Sequence, residues 1–82
     1  MIEVTRYIEV YDNITEELID SYEITLPDEE AISYIKPDDD DRYAIGGAYE
    51  LNEEQVIDLG GKELVSLYHN KDVSFFAACY QK

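Results

Sequence analysis

Residues 2 to 11, Ile-Glu-Val-Thr-Arg-Tyr-Ile-Glu-Val-Tyr, alternate apolar and polar positions with a period of two. Successive side chains of an extended chain point to opposite faces, so this period reads as a strand and not as a helix. Ile2, Val4, Ile8 and Val10 share one face; Glu3, Thr5, Tyr7, Glu9 and Tyr11 share the other. Asp12-Asn13 then supplies turn chemistry, because both side chains bond nearby backbone and tolerate left-handed conformations. A second strand is expected from Leu18 to Leu26, with Tyr22, Ile24 and Leu26 on its inner side and Ser21, Glu23 and Thr25 on its outer side. The chain therefore opens with a β-hairpin.

Pro27 ends that strand, having no N–H for a ladder, and Asp28, Glu29 and Glu30 place negative charge where a helix N-terminus favours it. A short helix over residues 28–35 is expected, burying Ala31, Ile32 and Ile35, and Pro37 stops it. Asp38 to Asp41 form a loop. Arg42 to Leu51 reads as a third strand whose Gly46-Gly47 pair marks a bulge, a bend or a close backbone approach. Asn52, with Gln55 three residues on, is a capping box opening a helix over residues 53–59. Gly60-Gly61 breaks it, and residues 62–69 allow another helical turn or two. The closing run Val73 to Tyr80 is nearly continuous in apolar residues, which predicts a central strand covered on both faces.

The order ββαβα(α)β predicts one α+β domain over residues 1–82. It is a mainly antiparallel four-stranded sheet, opened by the hairpin, with two or three short helices mainly on one face. A chain of this length buries about two-thirds of its unfolded surface, enough for one modest core and too little for a deep cleft walled by subdomains.

Charge narrows the function. The 82 residues hold 20 Asp and Glu against 6 Lys and Arg, a formal charge of −14, yet 45% of the chain is hydrophobic. An acidic disordered tail would lack that apolar content, so the chain is expected to fold. Direct binding to nucleic acid or an anionic membrane is disfavoured, since phosphate neutralisation needs clustered bases. A basic protein is the complementary partner. The excess is uneven: residues 1–58 hold 18 of the 20 acids and three of the six bases. The lone Cys79 forms no internal disulfide, and there is no leader-like or 18-residue apolar stretch, so a cytoplasmic protein is expected.

Groups for catalysis are sparse. There is one His and one Cys, with no Gly-x-Ser-x-Gly, phosphate-loop or dinucleotide signature. Cys79, in an apolar run, reads as a small hydrophobe and His69 as a polar cap, so no enzyme is expected. Nothing in the sequence singles out a carboxylate pair for glycoside hydrolysis. An EF-hand loop starting at Asp38 would place Arg42 at the fifth position, Tyr43 where glycine is needed and Tyr49 where the bidentate Glu belongs; that template fails, and no metal or cofactor is expected.

Eight of the ten aromatic residues are Tyr. A face carrying Tyr7 and Tyr11 beside Glu3 and Glu9 is either an ordinary half-covered sheet surface or a binding face. Tyr34, Tyr43 and Tyr49 flank the aspartate run and Glu50, and aromatic anchors ringed by carboxylates suit a partner rich in Arg and Lys. Asp38, Asp39, Asp40, Asp41, Tyr43 and Glu50 are the expected contact set, with Asp28, Glu29 and Glu30 as a second acidic patch. The other reading of the aspartate run is a solvated loop.

The Tyr7-x-x-x-Tyr11-Asp12 hairpin, Leu26-Pro27, the helix entry Tyr49-Glu50-Leu51-Asn52-Glu53-Glu54-Gln55-Val56 and the closing Phe75-Phe76-x-x-x-Tyr80 strand resemble small bacterial immunity proteins of polymorphic toxin and contact-dependent growth inhibition systems. The resemblance spans most of the chain and rests on aromatic positions and a capped helix. It implies a cytosolic antidote that binds one toxin domain, commonly a nuclease, and blocks its active site or substrate access. The alternative is an acidic DNA mimic that inhibits a restriction or CRISPR-type defence protein. Mimicry needs carboxylates arrayed like phosphates over an elongated surface, whereas an antidote needs a compact patch with aromatic anchors. An accessory or regulatory module is a third reading, marked by a large exposed apolar patch.

Overall fold

The computed structural model describes residues 3–46 and 48–81. Strands β1 (Val4–Asp12), β2 (Leu18–Glu23), β3 (Tyr49–Leu51) and β4 (Val73–Gln81) form one antiparallel sheet in the order β2-β1-β4-β3. Helices α1 (Asp28–Ile35), α2 (Glu53–Asp58) and α3 (Lys62–Tyr68) complete the order ββαβααβ. The fold is the expected α+β arrangement. Ile2, assigned to the inner face of the first strand, and Gly47, half of the glycine pair, lie outside the described residues.

The opening hairpin forms as its alternation requires. Asp12 accepts hydrogen bonds from the backbone N–H groups of Ile14 (2.8 Å) and Thr15 (3.0 Å), an Asx-type turn that starts the reversal. β1 is central and pairs along its whole length with β4, from Val4 opposite Gln81 to Asp12 opposite Val73. A register irregularity between Val10 and Tyr11 lets Leu18 pair with Tyr11 while Asp20 pairs with Val10.

All three helices pack on one face of the sheet. There Ile8, Val10, Phe75 and Ala77 meet Ala31, Ile35, Val56, Leu59 and Leu64 in a single buried cluster. The capping box on α2 forms as predicted: Asn52 accepts from the Gln55 N–H (2.8 Å), and Gln55 accepts from the Asn52 N–H (2.9 Å). The Gln55 amide also donates to the Tyr34 carbonyl at 3.0 Å, tying α2 to α1. Between α2 and α3 the chain comes close to the sheet. A Cβ on Gly61 would sit 2.8 Å from Ile8 Cδ1 and 2.9 Å from Val56 Cγ1, so only glycine fits there.

Two expectations about the strands need correction. The third strand does not run from Arg42; only Tyr49–Leu51 pairs with β4. Asp39–Asp41 instead form a 3-10 turn, and Ala44 takes a left-handed conformation (φ 53°) that a strand cannot contain. β4 is central, but helices cover only one of its faces. Phe75 and Ala77 point to the helices, while Phe76, Ala78 and Tyr80 point to the open side with Tyr7, Glu9 and Tyr11. Aromatic packing within the open face, Tyr7 on Tyr80 and Tyr11 on Phe76, shields its apolar positions without a covering layer.

Candidate functional site

The segment between α1 and β3 is organised by two residues of opposite charge. Asp41 turns its carboxylate inward on its own loop and accepts from the N–H groups of Ile45 (3.1 Å) and Gly46 (3.0 Å) and from the Tyr49 hydroxyl (2.6 Å). The Tyr49 hydroxyl, followed by the two backbone donors, holds the Asp41 carboxyl below its ordinary value. The same bond pushes the Tyr49 phenol up to about 12.

Arg6 is the second organiser. It lies at an inner position of β1 and is 6% exposed. Its guanidinium donates to the carbonyls of Tyr43 (2.7 Å) and Ala44 (2.9 Å), and its Nε meets Asp28 at 3.3 Å. One planar group thus grips the loop carbonyls and the first turn of α1 together, a geometry that lysine's point charge does not offer. The left-handed backbone at Ala44 is held by this grip, since its carbonyl is one of the two acceptors.

What the loop presents outward is acidic and aromatic. Asp38, Asp39 and Asp40 are exposed, Tyr43 is 56% exposed and Ile45 43%. The loop's own base, Arg42, stacks over the Tyr43 ring at 4.9 Å. Glu29 and Glu30 are exposed in the first turn of α1, where Asp28 meets Arg6. Of the residues expected to form the contact set, Asp38, Asp39, Asp40 and Tyr43 are exposed along one short segment, and Asp28, Glu29 and Glu30, also exposed, begin α1. Asp41 is committed to the loop's interior bonding. Glu50 is not part of the patch: it pairs with Phe76 and faces the open side of the sheet.

The open face, which the sequence offered as a half-covered surface or a binding face, buries Glu9 against a tyrosine of β4 that the sequence did not connect with it. Glu9, opposite Phe76 on one side and Ser21 on the other, is only 6% exposed. One carboxylate oxygen accepts from the Tyr11 hydroxyl at 3.0 Å and the other from the Tyr80 hydroxyl at 2.5 Å. Those bonds raise the Tyr11 phenol and push the Tyr80 phenol up to about 12. The available signal was the surplus of Tyr sharing the parity of Glu9 across β1 and β4. For Arg6 it was a charge at inner parity between Val4 and Ile8.

The remaining candidates stay apart. Cys79 pairs with Arg6 near the far end of β4, and burial raises its thiol. His69 follows α3 and precedes the start of β4, whereas Cys79 lies near that strand's end. Among the described residues, no three His, Cys, Asp or Glu side chains converge as metal ligands, and no helix is long and apolar enough to cross a membrane.

No curated protein and no solved structure matches the chain. A family model does match, over residues 5–78, which takes in the three helices, β2, β3, Arg6 and Glu9, all of β1 but Val4, and β4 as far as Ala78. The chain belongs to the family described as Domain of unknown function (DUF7683).

Proposed function

We propose that this protein is an immunity protein that binds and neutralises a cognate bacterial toxin domain, a basic nuclease, by covering its active site or the path of its substrate. The observation that carries the reading is the pre-shaped acidic loop. Three exposed aspartates precede the exposed Tyr43 and Ile45 on a backbone already fixed by Asp41 and Arg6. A loop ordered before binding loses little entropy on docking, and its aromatic and apolar tip supplies an anchor inside a charged rim. A short acidic segment carrying an aromatic residue suits a single protein surface better than an extended phosphate mimic, with Asp28, Glu29 and Glu30 as a second acidic patch. Its charge complements a nuclease, whose substrate groove must be basic, and speeds encounter with it.

The gene immediately upstream identifies the partner to test: an immunity protein follows a large toxin gene. Co-purification with that toxin's C-terminal domain is expected, with nuclease activity lost on binding and an association rate falling on the order of tenfold or more from low to high salt. Reversing Asp38, Asp39 and Asp40 to Lys together should abolish protection while leaving the fold intact. A position among unrelated metabolic genes, or a complex whose affinity ignores the triple reversal, overturns the proposal.

A further inference from the structure

Glu9 is a buried carboxylate whose neighbours are hydroxyls and not cations. Among the described residues no Lys, Arg or His approaches it within salt-bridge distance, and no strand residue on the open face is a base. Removing a carboxylate from water is costly unless a countercharge or several donors replace the water. Two tyrosine hydroxyls replace part of it, leaving each oxygen with further accepting capacity. The site is reachable. Glu9 lines an open depression of about 440 Å³ together with Thr5, Tyr7, Leu18, Ser21 and Tyr80.

We propose that this depression receives an arginine side chain of a basic protein partner, with Glu9 as the charge-pairing acceptor and Tyr7 and Tyr80 as its aromatic walls. The two rings meet edge to face, with centroids 5.8 Å apart, and both line the depression beside the carboxylate. A guanidinium is planar, stacks on aromatic rings and forks onto a carboxylate, which matches this combination better than an ammonium does. Leu18, 51% exposed, and Tyr80, 52% exposed, form an apolar rim around the anchor point. That rim favours a protein donor over a free small cation, because apolar contacts around an arginine anchor exclude water from the charge pair. This surface is distinct from the acidic loop, which Arg6 fixes from the helix-covered side.

The inference rests on the immunity reading only in taking the partner to be a basic protein, and its test contains no toxin. Isotope-labelled protein is titrated with acetyl-arginine amide, with the neutral isostere acetyl-citrulline amide as control, and backbone amide shifts are followed by NMR. Saturable shifts at Tyr7, Glu9, Ser21, Ala78 and Tyr80 are expected with the arginine compound alone. Glu9→Gln should weaken the apparent affinity about tenfold. Neutralising Asp38, Asp39 and Asp40 to Asn should change it by less than about twofold, since those exposed charges lie on the other surface. Ser21→Arg places a guanidinium directly across from Glu9 and should abolish the response by occupying the site internally. No shifts, equal shifts with citrulline, shifts centred on residues 38–46, or an undiminished response in Ser21→Arg each overturn the proposal. The Ser21→Arg result decides even if Glu9→Gln does not fold.

Discussion

Arg6 and Glu9 lie three residues apart on β1, equally buried at 6% exposure, and on opposite faces of the sheet. The helix-covered face closes around its charge. Arg6 is bound by two carbonyls from a distant loop and by a carboxylate at the start of α1, so its hydrogen-bonding capacity goes into fixing the fold. The open face shields its charge with two neutral hydroxyls, Tyr11 from the same strand and Tyr80 from β4. Burial alone therefore does not distinguish the two charges. What separates them is whether the fold supplies the countercharge.

The widest gap between the two faces should appear in stability. Ile8 is fully buried against Val56 and Gly61, so Ile8→Ala is expected to cost about 2–5 kcal/mol by urea unfolding. Tyr80→Ala removes a half-exposed ring and one hydroxyl bond that water can replace, and is expected to cost about 1 kcal/mol. Equal costs would mean that the open face is as much a part of the core as the covered one.

Arg6→Met keeps much of the side chain's volume and deletes its donors. It leaves the carbonyls of Tyr43 and Ala44 without their partner and should destabilise the protein by about 2–4 kcal/mol. Hydrogen exchange should accelerate in residues 39–46 more than in the β1–β4 ladder. Asp28→Asn should cost under about 1 kcal/mol, because that carboxylate's side chain is 63% exposed and its pairing is screened by solvent. A larger loss in Asp28→Asn than in Arg6→Met would show that the ion pair, and not the grip on the loop carbonyls, is what Arg6 contributes.

The elements legible in the sequence are those set by local rules. The period of two in β1, the Asp12 turn, the acidic start of α1 and the Asn52–Gln55 box each act within a few residues, and each forms as expected. The third strand failed because its fate is decided at long range. Nothing between Arg42 and Ala48 announces that Arg6, some 37 positions earlier, will take the carbonyl of Tyr43, or that Asp41 will fold back on Ile45 and Gly46. The same blindness hid the site. Eight tyrosines and a surplus of acids were visible, but the meeting of Glu9 with Tyr80 depends on the β1–β4 register across 71 positions. The apolar run of β4 was misleading for a related reason, since aromatic side chains on the open face cover one another and imitate burial by a second layer.

The smallest expected effect concerns pH, and it distinguishes the loop from the open face. Asp41 is held below its ordinary value of 3.8, so its bonds contribute stability above that value and lose it as pH falls through the lowered one. Tyr49 is raised from 10.0 to about 12, so its contribution is complete below pH 10 and disappears as pH climbs toward 12. The loop should therefore stay ordered from about pH 4 to 10. Tyr49→Phe removes the hydroxyl responsible for the largest part of the Asp41 shift. Amide protection of Ile45 and Gly46 should then fall off at higher pH on the acid side, while the alkaline titration of Tyr80 near 12, which depends on Glu9, stays in place. If Tyr49→Phe moved the Tyr80 titration as well, the two faces would be coupled through the sheet, and the open face could no longer be treated as a surface independent of the acidic loop.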